Sequence, residues 1–438
     1  MLSLDILLKW NRWGRHSLES GRRRRIISDM LPFLHTEEIV TLTGMRRVGK
    51  STVLYQIMDL LEAEGIENKA MLHINFEEPA LAPHLTLSFL DTLYDTYRSE
   101  IYPTGKAYLF LDEIQNILEW ERWVRGRNET ENIKIFITGS SSKLMSSELA
   151  TLLTGRHVNF NVYPLDLKEL LEFFSIEIPS KPWPFSAPPA IAHTLHFYLK
   201  WGSLPKIVLA KEEARRSRLL IQYFDDILLK DIVMRHRVRD VHTLRAMAVH
   251  LLTQTGSLAS FSRLGKIFES STFLAGDYCN YLQEAFLLEL MPFFSLKAAE
   301  RQRNPKKIYV TDLGLRNQVS LSLSPDRGKS IESLIFNVLK QRATGNIFYW
   351  KNQGEIDFVI NRGASITTLI QVLADHLDNP AVFNREVNAL REGMKAFPKA
   401  KPLIIIGQQS FPESAYQVGD SIQIAPLWQF LLEPETFL

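Results

Sequence analysis

Strand-like apolar runs alternate with amphipathic helical stretches over residues 38–165. Short apolar runs at Ile39–Leu42, Ala70–Phe76, Ala107–Leu111 and Ile133–Thr138 have the length and composition of buried strands. Between them, residues 52–63 and 87–99 carry apolar side chains at helical spacing. This alternation predicts an α/β fold with a parallel sheet covered by helices. Upstream, residues 1–37 mix Trp10 and Trp13 with the basic run Arg22–Arg25 before a helical Ile26–Leu34, and read as a lead-in packed on a domain spanning 38–175. Pro179, Pro182, Pro184, Pro188 and Pro189 crowd residues 176–190, where missing amide donors and fixed φ predict a linker. Residues 191–325 are mainly helical, with a β-hairpin expected over Met291–Val310. Residues 326–438 return to an α/β pattern: helix Ile331–Lys340, strands Ile347–Trp350, Glu355–Ile360 and Thr368–Val372, helix Asn384–Met394 and strand Leu403–Ile406.

A chain of 438 residues, 45% of them hydrophobic, is long enough for more than one core. Its formal charge of +2 confines any nucleic-acid surface to a local patch. The single cysteine, Cys279, excludes an internal disulfide framework and a multi-cysteine metal site, and reads as helix packing. With no uncharged apolar stretch of about 18 residues and no basic start leading into an apolar core, the expected setting is cytoplasmic, without a membrane partner.

The chemistry begins where the first expected strand ends. Gly44-Met45-Arg46-Arg47-Val48-Gly49-Lys50-Ser51-Thr52 fits the phosphate-loop spacing, between an apolar strand and an amphipathic helix. The glycines let the backbone turn so that successive N–H groups converge on phosphate oxygens at the positive end of the helix. Lys50 is expected on the β/γ oxygens and Ser51 on Mg²⁺, while Arg46 and Arg47 face nucleotide, solvent or a partner. The run Tyr108–Leu111 delivers Asp112 and Glu113 to the carboxyl edge of the sheet, where ligands of open α/β sheets sit. Asp112 is expected to hold Mg²⁺, directly or through water, and Glu113 to polarise the attacking water. A third strand ends in Ile137–Ser142 and brings hydroxyls, Ser140 among them, beside the γ-phosphate. Arg156, in Leu153-Thr154-Gly155-Arg156, is a candidate finger or sensor, in its own subunit or a neighbour's, or a structural arginine. The expected cofactors are ATP and Mg²⁺.

These motifs resemble prokaryotic AAA-type P-loop ATPases fused to a C-terminal region known only as domain of unknown function 4143. The carriers are Gly44–Thr52, Asn75-Phe76-Glu77-Glu78-Pro79, Leu111–Gln115 with Trp120-Glu121, Thr138-Gly139-Ser140 and Gly155-Arg156. In the second half they are Trp201-Gly202-Ser203-Leu204-Pro205, Tyr309–Gly314 and Gly354-Glu355-Ile356-Asp357-Phe358. The resemblance spans most of the chain and implies an ATP-binding protein without defining a process.

Helical Val241–Gln254, Phe261–Phe268 and Phe273–Leu290 outline a helix-turn-helix with a shared core of Leu264, Ile267, Phe273, Leu274, Tyr281, Leu282 and Phe286. The Met291–Val310 hairpin would make it a winged helix, whose tip carries Lys297, Arg301, Arg303, Lys306 and Lys307 against Glu300. Such a tip either touches phosphates of double-stranded DNA or is the solvated face of a packing domain. Another basic run, Arg235–Arg239, follows Asp225, Asp226 and Asp231 and pairs with those acids or with DNA. The C-terminal element order resembles the PD-(D/E)xK nuclease core, which implies a metal-gathering set at Glu332, Asp357 and Gln371. Leu373 stands where that pattern has lysine, and Gln371 offers only a neutral carbonyl oxygen. The expectation is therefore a degenerate nuclease-like site kept for binding or regulation. Together these features predict an ATP-driven switch gating contact with DNA or with a protein partner, self-association included. The alternatives are an ATP-licensed nuclease and an ATP-dependent assembly protein without nucleic acid.

Overall fold

Three of the apolar runs are buried along their whole length: β1 (Ile39–Thr43), β3 (Ala107–Asp112) and β4 (Ile133–Gly139). Strands covered on both faces need no polar alternation, so their sequences read as continuous apolar runs. With β2 (Met71–Asn75) and β5 (His157–Asn161) they form a parallel sheet in the order β2-β3-β4-β1-β5. The sequence pattern did not reveal β5, because His157-Val158-Asn159-Phe160-Asn161 is half-exposed along its length and carries polar residues at every second position. The computed structural model describes residues 2–14, 19–140, 155–320, 326–374, 380–407 and 421–438. Two units emerge, Met1–Val162 and Tyr163–Leu438.

In the first unit, helix α1 (Leu2–Trp10) precedes α2 (Ile26–Met30), α3 (Lys50–Ala63), α4 (Leu87–Glu100) and α5 (Trp120–Thr130). Leu90, Leu93, Tyr94 and Tyr97 of α4, with Trp123 and Val124 of α5, bury against Leu72, Leu109 and Ile135 of the sheet. Ile6 and Leu7 of α1 join the same core. Just after α1, Asn11 pairs with edge strand β2 as a strand residue would. Its Oδ1 accepts from His73 N–H at 2.6 Å, and its Nδ2 donates to His73 O at 2.9 Å. Trp13 Nε1 adds a bond to Met71 O at 2.9 Å.

The second unit opens with α6 (Leu167–Phe173), α7 (Pro189–Trp201), α8 (Pro205–Leu209) and α9 (Glu213–Asp226). The proline cluster runs directly into α7, with Pro189 in its first turn, where a missing N–H costs nothing. There follow α10 (Val241–Thr253), β6 (Leu258–Ala259), α11 (Phe261–Ile267), α12 (Thr272–Glu284), β7 (Leu288–Met291), α13 (Ala298–Arg303) and β8 (Lys306–Val310). The three strands form an antiparallel sheet in the order β6-β8-β7. The hairpin thus starts earlier than expected, and its tip contains a short helix. Leu264 and Leu282 are buried as the helical spacing predicts, but Ile267 is 47% and Phe273 77% exposed. The cause is local: the Ser271 hydroxyl caps α12 by accepting from Leu274 N–H at 3.0 Å, which sets Ala275, Tyr278, Cys279 and Leu282 as the inward face. Burial pushes the Cys279 thiol up to about 12, so it stays protonated. Arg235 lies 3.7 Å from Asp231, so the internal-acid reading of that run holds for this residue.

Beyond α14 (Leu313–Val319) and α15 (Arg327–Arg342), a second sheet combines β9 (Asn346–Lys351), β10 (Glu355–Arg362), β11 (Ser365–Leu373), β12 (Lys401–Ile406) and β13 (Gln423–Pro426) in the order β13-β12-β11-β10-β9. The pairs β9–β10 and β10–β11 are antiparallel, and β11–β12 and β12–β13 are parallel. Helices α16 (Pro380–Ala396) and α17 (Leu427–Leu432) complete it.

Two sequence motifs 109 residues apart meet in this unit. Asp312 caps α14 by accepting from Leu315 N–H at 3.0 Å and also accepts from Ser203 N–H at 2.8 Å. Gly202 has φ 70, and a Cβ on it would stand 2.3 Å from Asp312 Oδ1. A Cβ on Gly314 would stand 2.0 Å from Trp201 O. Burial pushes the Asp312 carboxyl up from 3.8 to about 6, although its backbone N–H partners work against the shift. Below pH 3.8 both folded and unfolded forms are protonated; between 3.8 and about 6 the unfolded chain gives up the proton first. Stability therefore falls across that window, by roughly 3 kcal/mol in total. Urea midpoints measured from pH 3.5 to 7 are expected to show this fall in the wild type and not in Asp312→Asn.

Candidate functional site

Past Thr43 the chain turns at Gly44, where a Cβ would meet Val162 O at 2.3 Å. Arg47 at φ 69 and Gly49 at φ 102 add left-handed residues that bend the loop into α3. Val48 is fully buried, and its carbonyl accepts from Arg24 Nη1 at 3.0 Å. The lead-in is held in turn by Gln56 of α3, which bonds Ser20 O, Arg22 O and Arg24 N–H. Lys50, 5% exposed, donates to Gly44 O at 3.1 Å and stands 3.2 Å from Glu113 Oε1. Ser51 hydrogen-bonds Asp112, and Thr52 follows in the first turn of α3. Arg46 pairs with Glu77 at 2.7 Å, so its guanidinium is directed to the exit of β2 instead of to solvent, whereas Arg47 is exposed.

Because β1, β3 and β4 are parallel, their carboxyl ends gather Lys50, Asp112, Glu113 and Ser140 along one edge. Asp112 is 1% exposed. Burial opposes its charge, but the neighbouring His73 ring and the Ser51 and Thr138 hydroxyls more than offset this and hold the carboxyl below its ordinary value. The Thr138 hydroxyl donates to Asp112 and accepts from Glu113 N–H at 2.9 Å, tying the two acids together. Glu113 has φ 57, a conformation that costs a non-glycine residue about 1 kcal/mol or more. That turn aims its carboxylate at Lys50, where Ser140 N–H donates to Oε2 at 3.2 Å and Gln115 donates to the same atom. Ser140 thus joins the site through its backbone; Ser141 and Ser142 lie outside the described residues.

Sequence reasoning missed His73, whose Nε2 is 3.9 Å from Asp112 Oδ2, and Tyr55, whose ring meets His73 edge-on with centroids 5.3 Å apart. Burial and the nearby Asp112 push the Tyr55 phenol above its ordinary range. The available signal was a lone histidine in the otherwise apolar Met71–Ile74.

Arg156 is not brought to this edge. Its carbonyl accepts from Ile39 N–H at 2.9 Å, which places it at the amino end of the sheet, and its guanidinium pairs with Glu129 at 3.3 Å. At a rise of 3.3 Å per residue, β1 separates it from the phosphate loop by roughly 16 Å. A finger acting within its own chain is therefore corrected to a surface arginine.

The nuclease-like set is partly assembled. Phe358 pairs with Ile370, which brings Asp357 level with Gln371. Asp357 Oδ2 accepts from Val372 N–H at 3.0 Å. Gln371 donates to Glu386 at 2.5 Å, and Tyr309 donates to Glu332 at 3.2 Å. Into this group β8 sends Lys307, 2.7 Å from Glu355, 3.1 Å from Asp357 and 3.7 Å from Glu332. Lys307 is 3% exposed, so its expected place on a solvated basic tip is overturned by the strand's inward alternation. Burial opposes its charge, but Tyr309 and the three carboxylates outweigh it and hold the ammonium well above the ordinary lysine range. Burial, then Asp357, pushes the Glu332 carboxyl above its ordinary value, while Lys307 works against the shift. Removing the cation alone leaves uncompensated buried acids, so Lys307→Met is expected to destabilise the protein by about 3–5 kcal/mol. Calorimetric unfolding checks this, and Asp357→Asn in the Lys307→Met background is expected to recover part of the loss.

A loop of positive-φ residues closing on a buried lysine, with an aspartate and a glutamate at the end of β3 in the same parallel sheet, defines a P-loop nucleotide-binding fold. Residues 36–171 match the AAA domain family, and residues 192–327 match a domain of unknown function, DUF8612, a different designation from the 4143 of the sequence resemblance. The chain is 30% identical over 430 residues to Uncharacterized protein MJ1544 of Methanocaldococcus jannaschii, covering 95% of this chain and 93% of that protein, and belongs to the same family. It is also 28% identical over 353 residues to an Uncharacterized protein of Haemophilus influenzae, covering 78% of this chain and 84% of that one. Among solved structures, the Aeropyrum pernix ORC1 protein in complex with DNA covers 68% of this chain and 90% of its own, at 13% identity and TM-score 0.31. AMPPCP-bound DnaA from Aquifex aeolicus covers 64% and 92%, at 13% identity and TM-score 0.29. Likenesses this loose carry no functional assignment. Among the described residues no helix is long and apolar enough to cross a membrane.

Proposed function

We propose that the protein binds Mg²⁺·ATP, hydrolyses it, and uses nucleotide state to gate contact with double-stranded DNA. The observation that carries the hydrolytic part is the placement of Lys50, Asp112 and Glu113 within one hydrogen-bonded edge. The residues fit both groups. The positive-φ turns at Gly44, Arg47 and Gly49 shape a loop that opens α3, so its amides and Lys50 suit phosphate oxygens. The Ser51 hydroxyl and a carboxylate held below its ordinary value suit Mg²⁺, which takes one or two side-chain oxygens and keeps phosphate and water for the rest. Among the described residues no group of three or more His, Cys, Asp or Glu side chains forms an alternative metal site. Ser51 and Asp112 would hold Mg²⁺, whose charge would neutralise the β- and γ-oxygens. Lys50 offsets charge on the same oxygens, Glu113 accepts the proton of the attacking water, and Thr138 keeps the two acids in register.

The DNA part is supported by the order α10-β6-α11-α12-β7-α13-β8, that of a winged helix with a short helix inside its wing, with β6 and β7 flanking β8. The basic surface is smaller than the sequence promised: Lys307 is withdrawn, and Lys297 pairs with Glu300 at 3.2 Å. A second reading, a protein partner or self-association, is favoured by Phe273 at 77% and Leu296 at 88% exposure in the same region. Glu332, Asp357 and Gln371 serve the fold in either reading, since Lys307 neutralises that site. The deciding test is ATP turnover by the full chain with and without duplex DNA at two salt concentrations. Stimulation that fades with salt supports DNA. Mg²⁺-dependent turnover indifferent to DNA moves the assignment to a protein partner, and no turnover at all overturns the hydrolytic reading.

A further inference from the structure

The second unit contains a cavity of about 810 Å³, within the range of small-molecule sites. Its wall is mostly apolar: Leu195 and Leu199 of α7, Ile406 at the end of β12, and Leu427 and Trp428 of α17. Gly407 and Pro426 place part of its lining at the carboxyl ends of the parallel strands β12 and β13, where open sheets place ligands. No acidic residue lines it among the described residues, whereas Lys200, His196 and Arg327 do. Lys200 has an acid of its own, Glu213 at 2.9 Å, and Arg327 Nη2 reaches Gly407 O at 3.5 Å.

Two independent features mark one end of this cavity as cationic. Arg327 and Ser330 belong to the first turn of α15, a 16-residue helix whose N-terminal dipole is positive. Behind them lies Arg316, 2% exposed, which donates to the neutral Asn317 Oδ1 at 3.2 Å and Ser330 Oγ at 3.1 Å, with the carboxylate of Asp326 acting on it only through space. Asn317 and Ser330 both line the cavity, and Arg316 Nε is buried without an acceptor. Asp326, the cap of α15, is exposed and spends its Oδ1 on Lys329 N–H at 3.2 Å. A buried guanidinium with an idle donor is costly unless an acceptor completes it, and an anionic acceptor also offsets its charge.

We propose that this cavity binds an amphipathic anion, with its apolar body against Leu195, Leu199 and Trp428 and its single anionic group at the N-terminus of α15, beside Arg327 and the Asn317 and Ser330 side chains that hold Arg316. The anionic group is a carboxylate or a phosphate, both of which accept from guanidinium and helix N–H groups. The site lies apart from the phosphate loop in the chain and stands whether or not ATP is hydrolysed.

Calorimetric titration of the full chain with decanoate and decyl phosphate, each below its micelle threshold, and with decanol below its solubility limit tests this. At least one anion is expected to bind with one-to-one stoichiometry and at least about tenfold more tightly than decanol. The tighter of the two identifies the head group. Leu195→Trp, which fills the cavity, is expected to abolish binding, and Ser330→Glu, which sets an acid on its wall, to weaken the anions selectively. Arg316→Gln is likewise expected to weaken the anions and leave decanol unchanged; Ser330→Glu covers the case in which it fails to fold, with thermal melting as the check on both. Equal affinity for decanol, or unchanged binding in Leu195→Trp, overturns the proposal.

Discussion

Glu113→Gln is expected to slow ATP turnover by roughly 10²–10⁴-fold, the usual contribution of a positioned general base. The substitution keeps the shape of the side chain and an oxygen for Ser140 N–H, so the strand end and its left-handed turn are preserved. What it removes is the group that takes the proton from water. It also removes the negative partner 3.2 Å from Lys50, leaving that ammonium more available to phosphate. Nucleotide affinity is therefore expected to be unchanged or higher while turnover collapses. Phosphate release under saturating ATP, together with equilibrium binding of a fluorescent ATP analogue, separates the two effects. Turnover within about threefold of wild type would remove Glu113 from the mechanism.

Lys50→Ala carries the opposite signature. Loss of a preorganised cation from a water-poor site is expected to cost roughly 10²–10³-fold in turnover, with nucleotide binding weakened as well. The structural reason is that Lys50 bridges the two halves of the site: Gly44 O on the loop and Glu113 at the end of β3. Without it, two neighbouring carboxylates face the phosphates with no cation between them. The same paired assays read the outcome. A Lys50→Ala protein that binds and turns over ATP like wild type would mean that the phosphate loop is not the nucleotide site.

The interior of the ATPase sheet was legible in the sequence because buried parallel strands must be apolar throughout, and the phosphate loop because its chemistry fixes residue types at fixed spacing. The failures have equally specific causes. Arg156 lies close in sequence to a strand end, but sequence proximity does not say which edge of the sheet a residue reaches; the parallel pairing of Ile39 with His157 does. Lys307 looked like one more charge in a basic stretch. The alternation that puts Lys307 and Tyr309 on one face of β8 was readable, but the acids that receive the lysine come from residues 332, 355 and 357, and only the fold joins them. Phe273 was assigned to a core that Ser271 rotates it out of, a matter of where the helix begins. The motifs around Gly202 and Asp312 were visible as motifs, yet their meaning as one steric lock required both halves in contact.

Asn11 gives the ATPase sheet a boundary. Strand β2 is an outermost strand, and an open strand of that kind offers its N–H and C=O groups as a template for another chain. One carboxamide occupies both hydrogen-bonding groups of His73, and the Trp13 indole takes the carbonyl of Met71. The protein thus stops its own sheet with side chains instead of a further strand, and the aromatic lead-in doubles as protection against edge-to-edge aggregation.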